Sequence, residues 1–185
     1  YAILGGKGFI SPEAMREFGS FDGILGGHPT KEKIPGIEAS TGSLGHGLSI
    51  GAGMALAAKM DGKKYRTFVL QGDGECNEGS VWEAAMGASK HKLDNLVVLV
   101  DYNKQQAFGS TSDVCDLEPL ADKWRAFGFE TREVDVVKDP LRLKAVLSVL
   151  PLTEGKPTAI ICHTIKGMGV PFIERNMDWH HKSKI

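Results

Sequence analysis

Apolar residues fall along this chain in two alternating rhythms, short unbroken runs and longer helix-type repeats. The runs at 65–71, 96–100, 130–134 and 158–163 have strand length and the continuous apolar character of strands buried on both faces. Phe68-Val69-Leu70 and Leu96-Val97-Val98-Leu99-Val100 are the clearest. Between the runs, 81–90, 117–127 and 140–150 carry helical patterns. Such alternation predicts an α/β fold: a doubly wound, mostly parallel sheet with helices on both faces.

The first third is less regular. After a short helical start, 11–18 reads as a small helix with Ser11 as N-cap and Pro12 at its first position. The Gly-rich stretch 19–36 reads as a long loop, a class that often carries function. Helix 42–60 is crowded with small residues, including Gly45, Gly47, Gly51 and Gly53. Each interior Gly costs up to about 1 kcal/mol relative to Ala. A sheet or a second subunit pressing on this helix would explain that cost, as would burial within its own domain. The stretch 164–185 has no period and reads as an ordered loop carrying site residues, or as a frayed end.

The 185 residues suffice for one domain with a full core, and the expectation is a single domain over 1–185. A formal net charge of -1 makes no electrostatic case for nucleic acid or for an anionic membrane. No apolar run approaches membrane-spanning length, and no signal-peptide pattern opens the chain. Cys76, Cys115 and Cys162 are odd in number and lack C-x-x-C spacing, so neither a disulfide framework nor a zinc site is indicated. Reducing cytoplasm is the expected compartment.

The candidate chemistry sits where two apolar runs end. Gly72-Asp73-Gly74 follows one strand, and Val100-Asp101-Tyr102-Asn103 follows the next. A carboxylate and an amide oxygen thus meet one sheet edge, the edge where open α/β folds bind ligands. Few, hard oxygen ligands suit Mg²⁺, which keeps the rest of its octahedron for phosphate and water. Flanking glycines let backbone approach a diphosphate. A lone Gly-Asp-Gly is more often a simple turn. The alternation of Asp73, Glu75 and Asn77 imitates a calcium loop, but that loop needs Gly where Glu78 stands. Gly5-Gly6-Lys7-Gly8 lacks the Lys-Ser/Thr ending of a P-loop.

The spacing from Gly72-Asp73-Gly74 to Asn103 resembles the thiamine diphosphate signature. Five further motifs narrow the resemblance to the transketolase family: Gly27-His28-Pro29, Pro35-Gly36-Ile37-Glu38, Thr41-Gly42-Ser43-Leu44-Gly45, Lys166-Gly167-Met168-Gly169 and Trp179-His180. With Gly72-Asp73-Gly74-Glu75-Cys76-Asn77-Glu78-Gly79 they stand in family order and cover the chain from end to end. The resemblance implies a thiamine-diphosphate-binding fold with thiamine diphosphate and Mg²⁺ as cofactors. It implies Asp73, Asn103 and the backbone carbonyl of Gln105 as metal ligands, and Gly74 N–H as a diphosphate donor. Gly42 and Leu44 would meet the aminopyrimidine end, although helix packing is an alternative for Leu44. Glu78 matches an interface glutamate of a proton network, with a helix N-terminal charge as its plain alternative. His28 would hydrogen-bond the donor sugar, and His180 would reach the diphosphate and the reacting sugar. His91, His163 and His181 read as structural or solvated.

The activity implied is transfer of a two-carbon ketol unit from a ketose phosphate to an aldose phosphate. The family's Ser-x-Gly-His segment would precede Tyr1, and its pyrimidine-protonating glutamate belongs to a following domain. The chain is therefore expected to be the N-terminal subunit of a split transketolase, self-associating and partnered by a separate C-terminal subunit. A deoxyxylulose-phosphate-synthase-like half-site and a non-catalytic thiamine-diphosphate-binding protein are the alternatives. Val136-Val137-Lys138 stands where relatives often have Gly-His-Asp, which weakens any role for that loop.

Overall fold

Four strands form where the apolar runs lie: β1 (Thr67–Gly72), β2 (Leu96–Tyr102), β5 (Glu130–Asp135) and β6 (Thr158–His163). The structure is a computed structural model that describes residues 1–180, so the reading of His181 lies outside the described residues. The strands pair in parallel in the order β1-β2-β6-β5. The connecting helices are α4 (Gly79–Lys90), α6 (Leu120–Ala126) and α7 (Pro140–Ser148), with α3 (Gly47–Met60) ahead of β1.

Parallel crossovers are right-handed, so the direction of travel decides which face a helix covers. From β1 to β2 to β5 the chain moves one way across the sheet, and from β5 to β6 it steps back. Accordingly α3, α4 and α6 share one core, in which Ala55, Val81 and Trp124 pack on Val69, Val98, Val100 and Ile161. The residues that alternate with these, Val97, Ile160 and Cys162, pack with Val146 of α7 in a second core. This is the doubly wound arrangement that the strand–helix alternation predicts. On β1, Phe68 and Leu70 remain exposed.

The chain divides into two compact units, Tyr1–Leu44 and Gly45–Ile185. The first holds α1 (Ala2–Gly6) and α2 (Pro12–Arg16) around a small core of Ile10, Leu25 and Ile34. Ser11 caps α2 as the sequence indicates, its Oγ accepting from Ala14 N at 3.2 Å.

Two helix starts shift by three residues or more from the sequence expectation. Helix α3 starts at Gly47 rather than 42, because Gly42 (φ +127°) and Gly45 (φ +82°) lie in the left-handed region and cannot continue a right-handed helix. Helix α6 starts at Leu120 rather than 117, since Pro119 holds the N-cap position and a residue before proline is pushed extended. Residues 105–114, to which the sequence pattern assigns no element, form a short hairpin, β3 (Gln105–Gln106) with β4 (Gly109–Ser110), followed by α5 (Thr111–Val114).

The small residues of α3 now separate by cause. A Cβ on Gly51 would sit 2.3 Å from Val69 Cγ2, so the sheet presses directly on the helix there. A Cβ on Gly53 would meet nothing within 4 Å. Gly51→Ala should therefore cost about 1–3 kcal/mol through overpacking, despite alanine's better helix propensity. Gly53→Ala should be neutral or stabilising by up to about 1 kcal/mol. Thermal unfolding of the two variants checks this, and the shifts in Tm should have opposite signs or differ by several degrees.

Candidate functional site

All four parallel strands end at one edge, and the turns leaving β1 and β2 meet there. Asp73 follows β1 and is buried, 1% exposed. Its Oδ2 accepts from Lys104 N at 2.5 Å and its Oδ1 from Gly74 N at 2.8 Å, while its own N–H donates to Asp101 O at 3.2 Å. Asn103 follows β2, and its Oδ1 accepts from Gln105 N at 3.0 Å. Asp73 and Asn103, thirty positions apart, are therefore joined through the Lys104 amide. Lys104 takes φ +66°, an unusual conformation for a residue with a side chain. Strain of this kind, of order 1–3 kcal/mol, persists only where surrounding contacts over-determine it.

Burial pushes the Asp73 carboxyl above its ordinary value of 3.8, with Asp101 adding to the push, while the Lys104 and Gly74 amides pull it down. Its ionised form is thus under-stabilised by the protein alone, and a bound cation would stabilise it. Among the described residues no three His, Cys, Asp or Glu side chains cluster as metal ligands. A cation here would draw on one carboxylate, an amide oxygen, backbone carbonyls and oxygens from outside the chain, the habit of Mg²⁺.

The surroundings fit a phosphate-bearing group. A Cβ on Gly74 would lie 2.7 Å from Gln106 Cβ, so only glycine lets Gln106 pack this closely on the turn. Gln105 Oε1 and Gln106 Nε2 are buried with no hydrogen-bond partner among the described residues. Trp82 of α4 donates Nε1–H to Cys76 O at 2.9 Å, fastening the single 3-10 turn Gly74–Asn77 to the aromatic cluster of Trp82, Trp124 and Phe127. Burial pushes the Cys76 thiol up to about 12, which removes it as a nucleophile.

Beside this turn a cleft of about 460 Å³ opens at the ends of β2, β5 and β6, lined by Asn103, Gln105, Asp135, His163, Lys166 and Arg175 among others. It lies where the crossovers reverse direction, the switch point at which open α/β sheets bind ligands. His163 pairs with Glu133 at 2.9 Å and lies against the Tyr102 ring. Thr164 hydroxyl donates to the Asp101 carboxylate. Gln105 Nε2 donates to Arg175 O at 3.1 Å, tying the loop after β2 to the segment that ends in Trp179 and His180. His180 is half-buried and follows a one-turn 3-10 helix, Met177–Trp179.

Of the remaining candidates, Glu78 belongs to the second unit, and His28, Gly42 and Leu44 to the first. Glu78 is exposed at the start of α4, next to Gly45. His28 and Gly42 come together inside the first unit: Thr41 N donates to Pro29 O at 3.1 Å, and a Cβ on Gly42 would rest 3.4 Å from the His28 ring. Leu44 is 57% exposed and packs in no helix, because α3 starts later. Two contributors escaped the sequence reading: the Gln105 side chain and the Glu75 carboxylate. Only the alternation of Asp73, Glu75 and Asn77 hinted that Glu75 faces the turn.

Residues 1–183 match the family described as transketolase, thiamine diphosphate binding domain. The chain is 49% identical over 183 residues to an apulose-4-phosphate transketolase subunit of Phocaeicola vulgatus, covering 98% of this chain and 64% of that protein. It is 40% identical to the 6-deoxy-6-sulfo-D-fructose transketolase subunit SqwG of a Clostridium species, covering 98% of this chain and 66% of that one. The chain thus spans slightly less than two thirds of the length of these relatives. A transketolase structure from Campylobacter jejuni superposes with a TM-score of 0.84 at 28% identity, over 91% of this chain and 27% of that one. The protein belongs to the transketolase family, and this chain corresponds to its thiamine-diphosphate-binding domain.

Proposed function

We propose that this protein is the N-terminal subunit of a split transketolase, which moves a two-carbon ketol unit from a ketose phosphate to an aldose phosphate alongside a separate C-terminal subunit. The observation that carries the reading is the union of Asp73 and Asn103 through the Lys104 amide beside the Gly74 turn. Relatives that are themselves named as transketolase subunits support the division into two chains.

Asp73, Asn103 and the Gln105 carbonyl would hold Mg²⁺, with diphosphate and water oxygens filling its octahedron. Gly74 N–H, which donates to Asp73 Oδ1 in this structure, would turn to the diphosphate. When bound, thiamine diphosphate supplies the nucleophilic carbon that cleaves the ketose and carries the two-carbon unit. Gly42 and Leu44 face the aminopyrimidine end, and His28 orients the donor sugar through its oxygens. His180 serves the diphosphate and the reacting sugar as a hydrogen-bonding imidazole. Glu78 joins a proton network at the interface between copies. Self-association would use the α3–α4 face, where Ser49, Gly53 and Gly87 leave a shallow groove. The proposed compartment is the cytoplasm; among the described residues no helix is long and apolar enough to cross a membrane.

Cofactor binding should require a divalent cation. Calorimetric titration of thiamine diphosphate should show affinity falling about 100-fold or more (about 2.7 kcal/mol) on adding EDTA, and Asp73→Ala should behave like the chelator. Equal affinity in all conditions would remove the metal assignment.

The protein alone should give no ketol transfer from sugar phosphates, and should gain it when a C-terminal transketolase subunit is added. The cleft at the strand ends is open to solvent, and an open site would leave a reactive carbon to water. Steady-state transfer by this protein alone, unchanged by the partner, would refute the split-enzyme reading.

A further inference from the structure

The Glu75 carboxylate is absent from the metal and diphosphate assignment, yet it makes two hydrogen bonds that tie the turn to the chain before α3. Its Oε2 accepts from Gly72 N at 3.2 Å, the last residue of β1. Its Oε1 accepts from Gly45 N at 2.9 Å, two residues before α3. The opposite side of Gly45 is also held, because Ser80 Oγ donates to Gly45 O at 3.0 Å. Gly45 is buried, and a Cβ there would come within 2.6 Å of Glu78 Cβ and Ser80 Oγ. One glycine residue is thus held at its N–H by the Gly74–Asn77 turn and at its carbonyl by the start of α4.

We propose that Glu75 is a positioning residue for the cofactor site: its carboxylate locks the Gly72-Asp73-Gly74 turn against the chain entering α3, and so sets where Asp73 and the Gly74 N–H stand. It acts through backbone amides and does not touch the cofactor. The inference rests on the magnesium-diphosphate reading of that turn.

The chemistry of the side chain argues for a geometric role. Gly72 and Gly45 each present an N–H, so the bridging group must be an acceptor at both ends. A carboxylate meets this, whereas glutamine would turn its NH₂ toward one donor and aspartate is shorter by a methylene. A bare negative charge this near a diphosphate would oppose its binding; two N–H dipoles offset that charge while it bridges. A role in charge and a role in position therefore predict opposite effects of neutralising it.

Hydrogen exchange at the Gly45 and Gly72 amides, and calorimetric titration of thiamine diphosphate in magnesium buffer, test the assignment on wild type, Glu75→Gln and Glu75→Ala. In Glu75→Ala both amides should exchange about tenfold faster or more, and the cofactor Kd should rise about tenfold. Glu75→Gln should fall between, keeping one of the two bonds. In the assembled enzyme the cofactor KM should rise by a similar factor while kcat at saturating cofactor changes little, a split that general loss of folded protein would not produce. Unchanged Kd in Glu75→Ala beside a binding wild type overturns this role alone, as does tighter binding by Glu75→Gln. A wild type that takes up no thiamine diphosphate overturns the cofactor reading and this role together. If Glu75→Ala does not fold, Glu75→Gln decides by the same two measurements.

Discussion

The buried Asp73 carboxylate is the constraint around which the site is organised. It sits where β1 hands over to a turn, and it spends both oxygens on backbone amides, one its neighbour's and one from the loop after β2. A carboxylate out of water is costly unless its lone pairs are met. Here the amides meet them only in part, since burial still wins and holds the carboxyl above its ordinary value. The unsatisfied remainder is what a divalent cation would supply. The same group therefore joins two loops.

The supports of that carboxylate come from ordinary packing. Trp82 sits in the aromatic cluster on one face of the sheet and also donates to the carbonyl of Cys76, three residues beyond Asp73. Gly51 lets α3 lie close on Val69, within β1. Glu75 then ties the turn to the approach of α3. Turn and helices are thus fixed by contacts that do not depend on a ligand, as a preorganised site requires.

Strain appears where the linkage needs it. Lys104 adopts a left-handed backbone so that its amide can reach Asp73, and the loop continues at once into the β3–β4 hairpin. The loop is also tied through Gln105 to Arg175, on the segment leading to His180. Residues far apart in sequence at 73, 103–105 and 175 thereby form one continuous network.

The alternation of buried runs and helical periods determined the parallel sheet and its two covered faces, because period and length are local properties of the chain. The ordered glycine, aspartate and asparagine motifs likewise marked the family, since their spacing survives without coordinates. Tertiary structure alone decided the rest. Whether Gly51 meets the sheet while Gly53 does not depends on which side of α3 lies on β1. The start of α3 at Gly47 follows from left-handed glycines at 42 and 45, whose φ no composition reveals. The Glu75 bridge joins position 75 to position 45, and the Lys104 amide joins 104 to 73. Such pairs exist only after the sheet has set its register, because hydrogen bonds need a few ångströms between groups that sequence leaves thirty residues apart.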